Sequence, residues 1–121
     1  MQVATGIDLV ELSRFGGVLD RFGERFLKRI FTHQEQVDAG QSVASLAARF
    51  AAKEAVAKAL GCGIGPINWT EIEILRGASN QPVLHLHGAA ARLSQELGLN
   101  TWSVSLSHTQ AYAVAIAVAV P

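Results

Sequence analysis

Arg49-Phe50-Ala51-Ala52-Lys53-Glu54-Ala55-Val56-Ala57-Lys58 is the centre of a run from Ser42 to Leu60 that contains neither glycine nor proline. Alanine is abundant there, and Leu, Phe, Arg, Lys and Glu fill most other places, so intrinsic propensity predicts one long helix. At about 100° per residue, Leu46, Phe50, Ala57 and Leu60 share a face. Lys53 projects into the middle of that face, Arg49 lies near its edge, and Glu54 and Lys58 run side by side along the other flank. Glu54 precedes Lys58 by four residues, the favourable order for a helical ion pair. On spacing alone, a solvated helix with one ion pair explains these residues as well as a functional site does.

The segment at the start of the chain shifts that balance. Val3, Ile7 and Leu9 alternate with Ala4, Gly6, Asp8 and Val10, which predicts a strand apolar on both faces, as in a covered strand. Asp8 is the exception. It has a local reading as an N-cap, since Asp is a preferred capping residue and Glu11 three places on resembles a capping box. Paired with Glu54, it supplies hard oxygen ligands of the kind that suit Mg²⁺, an ion that keeps several waters and recruits phosphate oxygens.

After the long helix come Gly61-Cys62-Gly63-Ile64-Gly65. The glycines follow the helix rather than precede one, so they are no P-loop; a helix C-cap and turn is their local reading. Near the end, Ser103, Ser105 and Ser107 alternate with Trp102, Val104 and Leu106, a strand with one hydroxyl-lined face that His108-Thr109 terminates. Tyr112, Val114, Ile116, Val118 and Val120 then alternate with alanines, predicting a fully buried strand that abuts another subunit. It is too short for a membrane helix, which needs about 20 residues.

Gly6-Ile7-Asp8-Leu9-Val10-Glu11-Leu12, the Arg49-to-Lys58 block, Gly61-to-Gly65 and Val104-Ser105-Leu106-Ser107-His108-Thr109 occur in one order at characteristic separations. In this the chain resembles the holo-acyl-carrier-protein synthases, the small type of 4′-phosphopantetheinyl transferase, nearly end to end. It departs from their pattern between Val37 and Leu46, where the connection is short, and at Trp69 and Trp102, which have no evident role. The resemblance implies transfer of the phosphopantetheine arm of coenzyme A to a serine of an apo acyl carrier protein, or of a carrier domain of a fatty acid synthase, releasing adenosine 3′,5′-bisphosphate. It implies Asp8 and Glu54 as Mg²⁺ ligands, with water in place of a third acid. Lys58 would lie against the phosphates, and Arg49, Lys53, Gly61, Gly63, Gly65, Ser107, His108 and Thr109 join it as candidate coenzyme A contacts. Asp8, Glu54 and Lys58 form the expected catalytic set. Glu54, directly or through a bound water, is the candidate general base, because a carboxylate within reach of a hydroxyl accepts its proton as bonding develops. The resemblance also implies a homotrimer with active sites between subunits, Asp8 and Glu54 meeting there from different chains or faces.

Net charge is formally zero, yet Arg14, Arg21, Arg25 and Lys28 would occupy a narrow sector if their helix were continuous. Gly16, Gly17 and Gly23 stand against that continuity. A solvated basic face is the general reading; the family docks the acidic helix of its carrier on this segment, which makes these four residues candidate partner contacts. Nucleic acid is disfavoured by the absence of an aromatic platform and of positive net charge. His85 and His87 share a strand face without identified further metal ligands, Glu71 and Glu73 read as a solvated sheet face, His33 has no supporting pattern, and Pro82 marks a strand start.

With 121 residues, 50% hydrophobic and 17% charged, the chain is expected to form one domain over residues 1–121. Strands bunched around helices without regular alternation predict an α+β fold: a small antiparallel sheet packed with one long helix and shorter ones. One cysteine excludes an intrachain disulfide, and no leader or membrane span is recognisable, so a cytoplasmic location is expected. Two other functions use the same residues. A non-catalytic carrier-binding module needs only the basic face, and a Mg²⁺-dependent hydrolase of coenzyme A or another nucleotide needs the acids with water as acceptor.

Overall fold

A computed structural model describes residues 2–121. The elements run β1 (Ala4–Glu11), α1 (Leu12–Phe22), α2 (Glu24–Ile30), α3 (His33–Ala39), α4 (Val43–Leu60), a 3₁₀ turn (Trp69–Glu71), β2 (Ile72–Arg76), β3 (Pro82–Leu86), α5 (Gly88–Glu96), β4 (Thr101–His108) and β5 (Tyr112–Val120). The fold is α+β. One antiparallel sheet has the order β1-β5-β4 and the other is the β2-β3 hairpin.

The long helix forms where propensity places it and is bounded by local chemistry. Ser42 caps its start, accepting from Ser45 N at 3.1 Å. At its end Gly61 adopts the left-handed conformation (φ 77°, ψ 13°) and its N–H returns to Lys58 O, as a glycine C-cap does without a Cβ penalty. Ala51, Ala52 and Ala55 of α4 cluster with Ala115 and Ala117 of β5, and Ala47 and Ala48 with Ala113, all of them buried. Small residues on both sides let helix and sheet approach closely. Gly6 goes furthest: a Cβ there would stand 1.8 Å from Ala55 O.

Register carries the consequence to the other face of the sheet. Ile7 pairs with Ile116 and Leu9 with Val114, so the large side chains of β1 and β5 gather on the face away from α4. Ile7 and Leu9 are 60% and 62% exposed and Ile116 is 42% exposed. The covered strand expected at residues 3–10 is therefore corrected, and the strand expected at 111–120 to be buried against another subunit is, within one chain, buried on its alanine face alone. Each is buried on one face only, and within a single chain the large-residue face of β5 is open.

The basic segment is corrected as well. The chain breaks at Gly23, so Arg14 and Arg21 ride on α1 while Arg25 and Lys28 ride on α2. Gly16 and Gly17 lie within α1 without interrupting it. Glu71 and Glu73 do not form a solvated face. Glu71 accepts from Asn68 N at 2.7 Å and Ala89 N at 2.6 Å, closing the 3₁₀ turn and the start of α5. Glu73 accepts from Thr32 Oγ1 at 2.6 Å and pairs with His87 Nε2 at 3.0 Å. Among the described residues, no helix is long and apolar enough to cross a membrane.

Candidate functional site

Packing α4 flush on β1 brings residues fifty positions apart into contact. Lys58 Nζ donates to Ile7 O at 2.8 Å and to Asp8 Oδ1 at 3.3 Å. β1 is an edge strand, whose outward carbonyls lack a ladder partner, and Lys58 takes one of them. Asp8 is thus inside the strand rather than ahead of the helix. The capping reading is overturned, because the residue before α1 is Glu11 and its side chain caps nothing.

Glu54, one turn before Lys58, lines with Asp8 a cavity of about 550 Å³. Phe15, Phe26, Phe50 and Tyr112 wall it, and Arg14 and Glu11 also line it. Burial pushes the Glu54 carboxyl above its usual range, the neighbouring Asp8 charge pushes it further, and Lys58 pulls it part of the way back. The two acids meet on one chain, which corrects the expectation that different chains or faces bring them together. A carboxyl whose proton affinity is raised by a neighbouring carboxylate makes with it a donor set that a hard cation relieves. Among the described residues, no three His, Cys, Asp or Glu side chains cluster as a metal site, so water and a phosphate-bearing ligand would complete such a shell.

Lys53 is not in this cavity. It is 0% exposed, and its ammonium donates to Glu35 Oε1 at 2.7 Å, Ile72 O at 2.5 Å and Trp69 O at 3.1 Å. Burial lowers its pKa and Glu35 opposes that shift. All three of its donors are spent inside the protein, so its expected contact with a cofactor is corrected to a structural ion pair. Arg49 is also buried, its Nε on Ile74 O at 3.1 Å and one Nη on Ser45. Glu35 itself was invisible to the functional reading. Thr32-His33-Gln34-Glu35 spells a capping box, the one sequence signal that marks it.

His108 and Thr109 line a second cavity of about 710 Å³ with Leu12, Ser13, Val43 and Ala44, at the N-terminal end of α4. Lys58 and Gly61, Gly63 and Gly65 belong to the C-terminal end, roughly 20 Å away at 1.5 Å per helical residue. One chain does not bring these two sets together. Ser107 lies across from Val114 on β4's hydroxyl face. Among the basic residues, Arg14 alone lines the first cavity; Arg21 covers the Phe22 ring at 5.3 Å, Arg25 lines a groove with Phe22 and Phe26, and Lys28 sits 4.0 Å from Glu24 in solvent. Both tryptophans acquire roles: Trp69 stacks on Phe50 at 4.9 Å, and Trp102 Nε1 donates to Ser94 Oγ at 2.9 Å.

Comparison with known proteins places this arrangement. Residues 4–117 match the 4′-phosphopantetheinyl transferase superfamily. The chain is 45% identical over 123 residues to the holo-[acyl-carrier-protein] synthase of Herpetosiphon aurantiacus, covering 96% of this chain and 97% of that one. It is 48% identical over 118 residues to the enzyme of the same name from Carboxydothermus hydrogenoformans, covering 95% of each. Among solved structures, the Helicobacter pylori holo-[acyl-carrier-protein] synthase in complex with coenzyme A superposes with a TM-score of 0.88 at 32% identity, over 96% of this chain and 99% of that one. The Neisseria meningitidis synthase gives the same TM-score at 36% identity, over 98% of each. With sequence matched along nearly its whole length and its fold matched as closely, this chain belongs to the 4′-phosphopantetheinyl transferase superfamily, among its holo-[acyl-carrier-protein] synthases.

Proposed function

We propose that this protein moves the 4′-phosphopantetheine arm of coenzyme A onto a serine of an apo acyl carrier protein, with Mg²⁺ as its metal and adenosine 3′,5′-bisphosphate as the released product. The observation that carries the reading is the meeting of Asp8 and Glu54 at one cavity, with the Lys58 ammonium bonded to Asp8 beside it. The similarity to synthases whose names state the carrier, and to one solved with coenzyme A, supports it.

In this reaction the serine oxygen bonds to the phosphorus that bears pantetheine, and the bond from that phosphorus to the bridging oxygen of the pyrophosphate breaks. Mg²⁺ held by Asp8 and Glu54 would supply neutralising charge at the pyrophosphate. Lys58 sets an ammonium beside the same acids, where it meets charge building on phosphate oxygens by position alone. Glu54, directly or through a bound water, takes the serine proton. The aromatic wall of Phe15, Phe26 and Phe50 lowers the polarity beside the acids, which strengthens the interactions of these charges.

The active assembly in this reading is a homotrimer in the cytoplasm. Two features support the shared assembly: the open apolar face of Ile7, Leu9 and Ile116, and the separation on one chain of His108 and Thr109 from Lys58 and the glycine loop. His108 and Thr109 of a neighbouring copy would then complete the coenzyme A site. Arg14 and Arg21 meet the acidic carrier. Intact mass of an apo carrier after incubation with the protein, coenzyme A and Mg²⁺ tests the reading, with Asp8→Ala as control. A phosphopantetheine-sized gain that the control abolishes is expected. Adenosine bisphosphate released without a carrier would instead identify a hydrolase, and carrier binding without turnover a binding module.

A further inference from the structure

Lys58 touches Asp8 rather than standing ready in solvent. Its ammonium is 3.3 Å from Asp8 Oδ1 and is anchored by Ile7 O at 2.8 Å. The Asp8 side chain is 20% exposed and that of Lys58 is 53% exposed, so the acid has little other access to solvent cations. Without ligand, the lysine already does for Asp8 what a metal ion would do. From this contact we infer that Lys58 and the divalent cation compete for Asp8, and that coenzyme A relieves the competition by giving Lys58 a phosphate.

The inference rests on the metal reading above and deepens it. Three charged groups are in play: two carboxylates and one ammonium, a single net negative charge when all are ionised. A dication entering beside the ammonium meets a like charge within a few ångströms. Lysine has three donors; two are used, on Ile7 O and Asp8. The backbone anchor holds the ammonium at the site, while its freed donors can turn to a phosphate oxygen. Phosphate therefore adds negative charge and draws Lys58 from the shared carboxylate at once. By linkage, each ligand then raises the affinity for the other by the same factor.

The test is Mn²⁺ binding, read from the free-ion electron paramagnetic resonance signal, to wild-type protein and to Lys58→Met, with and without saturating coenzyme A. Methionine keeps the length of the stem, and Lys58→Gln is run beside it in case methionine disturbs the surface. Without coenzyme A, both variants should bind Mn²⁺ roughly two- to fivefold more tightly than wild type, the range set by a partly exposed ion pair. The gain on adding coenzyme A should be smaller in the variants. Equal or weaker Mn²⁺ binding by both variants overturns the competition while leaving the metal site standing. Wild-type protein that binds no Mn²⁺ in either condition overturns the metal reading, and the competition with it.

Discussion

Replacing Gly6 by alanine tests the packing that delivers the acids to Lys58. Gly6 has an ordinary negative-φ backbone, so alanine meets no conformational strain and the whole effect is steric. The new Cβ would lie 1.8 Å from Ala55 O, 2.7 Å from Ala55 C and 3.0 Å from Ala59 N. All three are helix backbone, and no flexible side chain can swing aside. Ordinary contact begins at 3.4 Å, so β1 and α4 must part by about 3.4 − 1.8 = 1.6 Å. Overpacking typically costs about 1–3 kcal/mol, and here it also lifts the alanine face of α4 from β5, so the upper end, about 3 kcal/mol, is expected. For a chain of this length that corresponds to a fall in Tm of roughly 10 °C. Lys58, Asp8 and Glu54 sit astride the same seam. A misplacement of about 1 Å costs on the order of 100-fold in rate, so carrier loading should fall at least that far even where the variant stays folded. Urea denaturation and initial loading rates by intact mass give both numbers. Gly17→Ala, whose Cβ meets nothing within 4 Å, is the control and should be neutral or slightly stabilising. If Gly6→Ala stayed within about 1 kcal/mol of wild type and loaded carrier normally, the seat of α4 on β1 would not be what holds the site.

Lys53→Met strands the buried Glu35 carboxylate and should cost about 3–5 kcal/mol in urea denaturation; the double variant with Glu35→Gln should cost less than the sum of the singles. Glu54 has a raised pKa in the fold, so its favourable contribution to stability is full below its unfolded pKa and is lost as pH rises through the folded value. Metal-free Glu54→Gln should therefore melt above wild type at neutral pH, with the gap closing on acidification through the carboxylate range; a gap constant with pH would refute this. Charge reversal at Arg21, which lies outside the cavity of the acids, should raise the KM for the carrier several-fold and flatten its salt dependence while leaving the KM for coenzyme A unchanged. Ile7→Lys with Ile116→Lys places charge on the open sheet face and should give a monomer by light scattering, with loss of transfer if a neighbouring copy completes the site.

Much of the order of elements was legible because those elements carry a local signal, but the division of residues 12–39 into three helices was not. The Ala-rich run between Ser42 and Gly61 reads as a capped helix, and the period-two patterns at Val83, Trp102 and Tyr112 read as strands. Asp8, Glu54 and Lys58 were legible as a group only through family spacing, since no local rule joins a mid-strand acid to a helix fifty residues on. The contact depends on Gly6, whose reason for being glycine is the backbone of Ala55 lying against it. The faces of β1 were misread for a related cause. Alternation of apolar residues shows that both faces are apolar, but not whether this chain or another one covers them.

Lys53 and Lys58 make the same point within one motif. They are five residues apart, about 140° around the helix, and that rotation sends one lysine to Glu35, Trp69 and Ile72 and the other to Asp8 and Ile7. Composition treats them as equals. What separates them is a carboxylate supplied by α3 from the far side, held on the backbone N–H groups of Thr32 and Ile74 at 2.9 Å each. With those bonds made, Glu35 fixes the ammonium of Lys53, so α3, α4 and β2 are tied at one point. Lys58 has only an exposed edge carbonyl and a shared acid, and its ammonium remains half in solvent. The buried pair thus fixes α4 on the face that also carries Phe50, while Lys58, about 140° round the helix, meets only Asp8 and the carbonyl of Ile7.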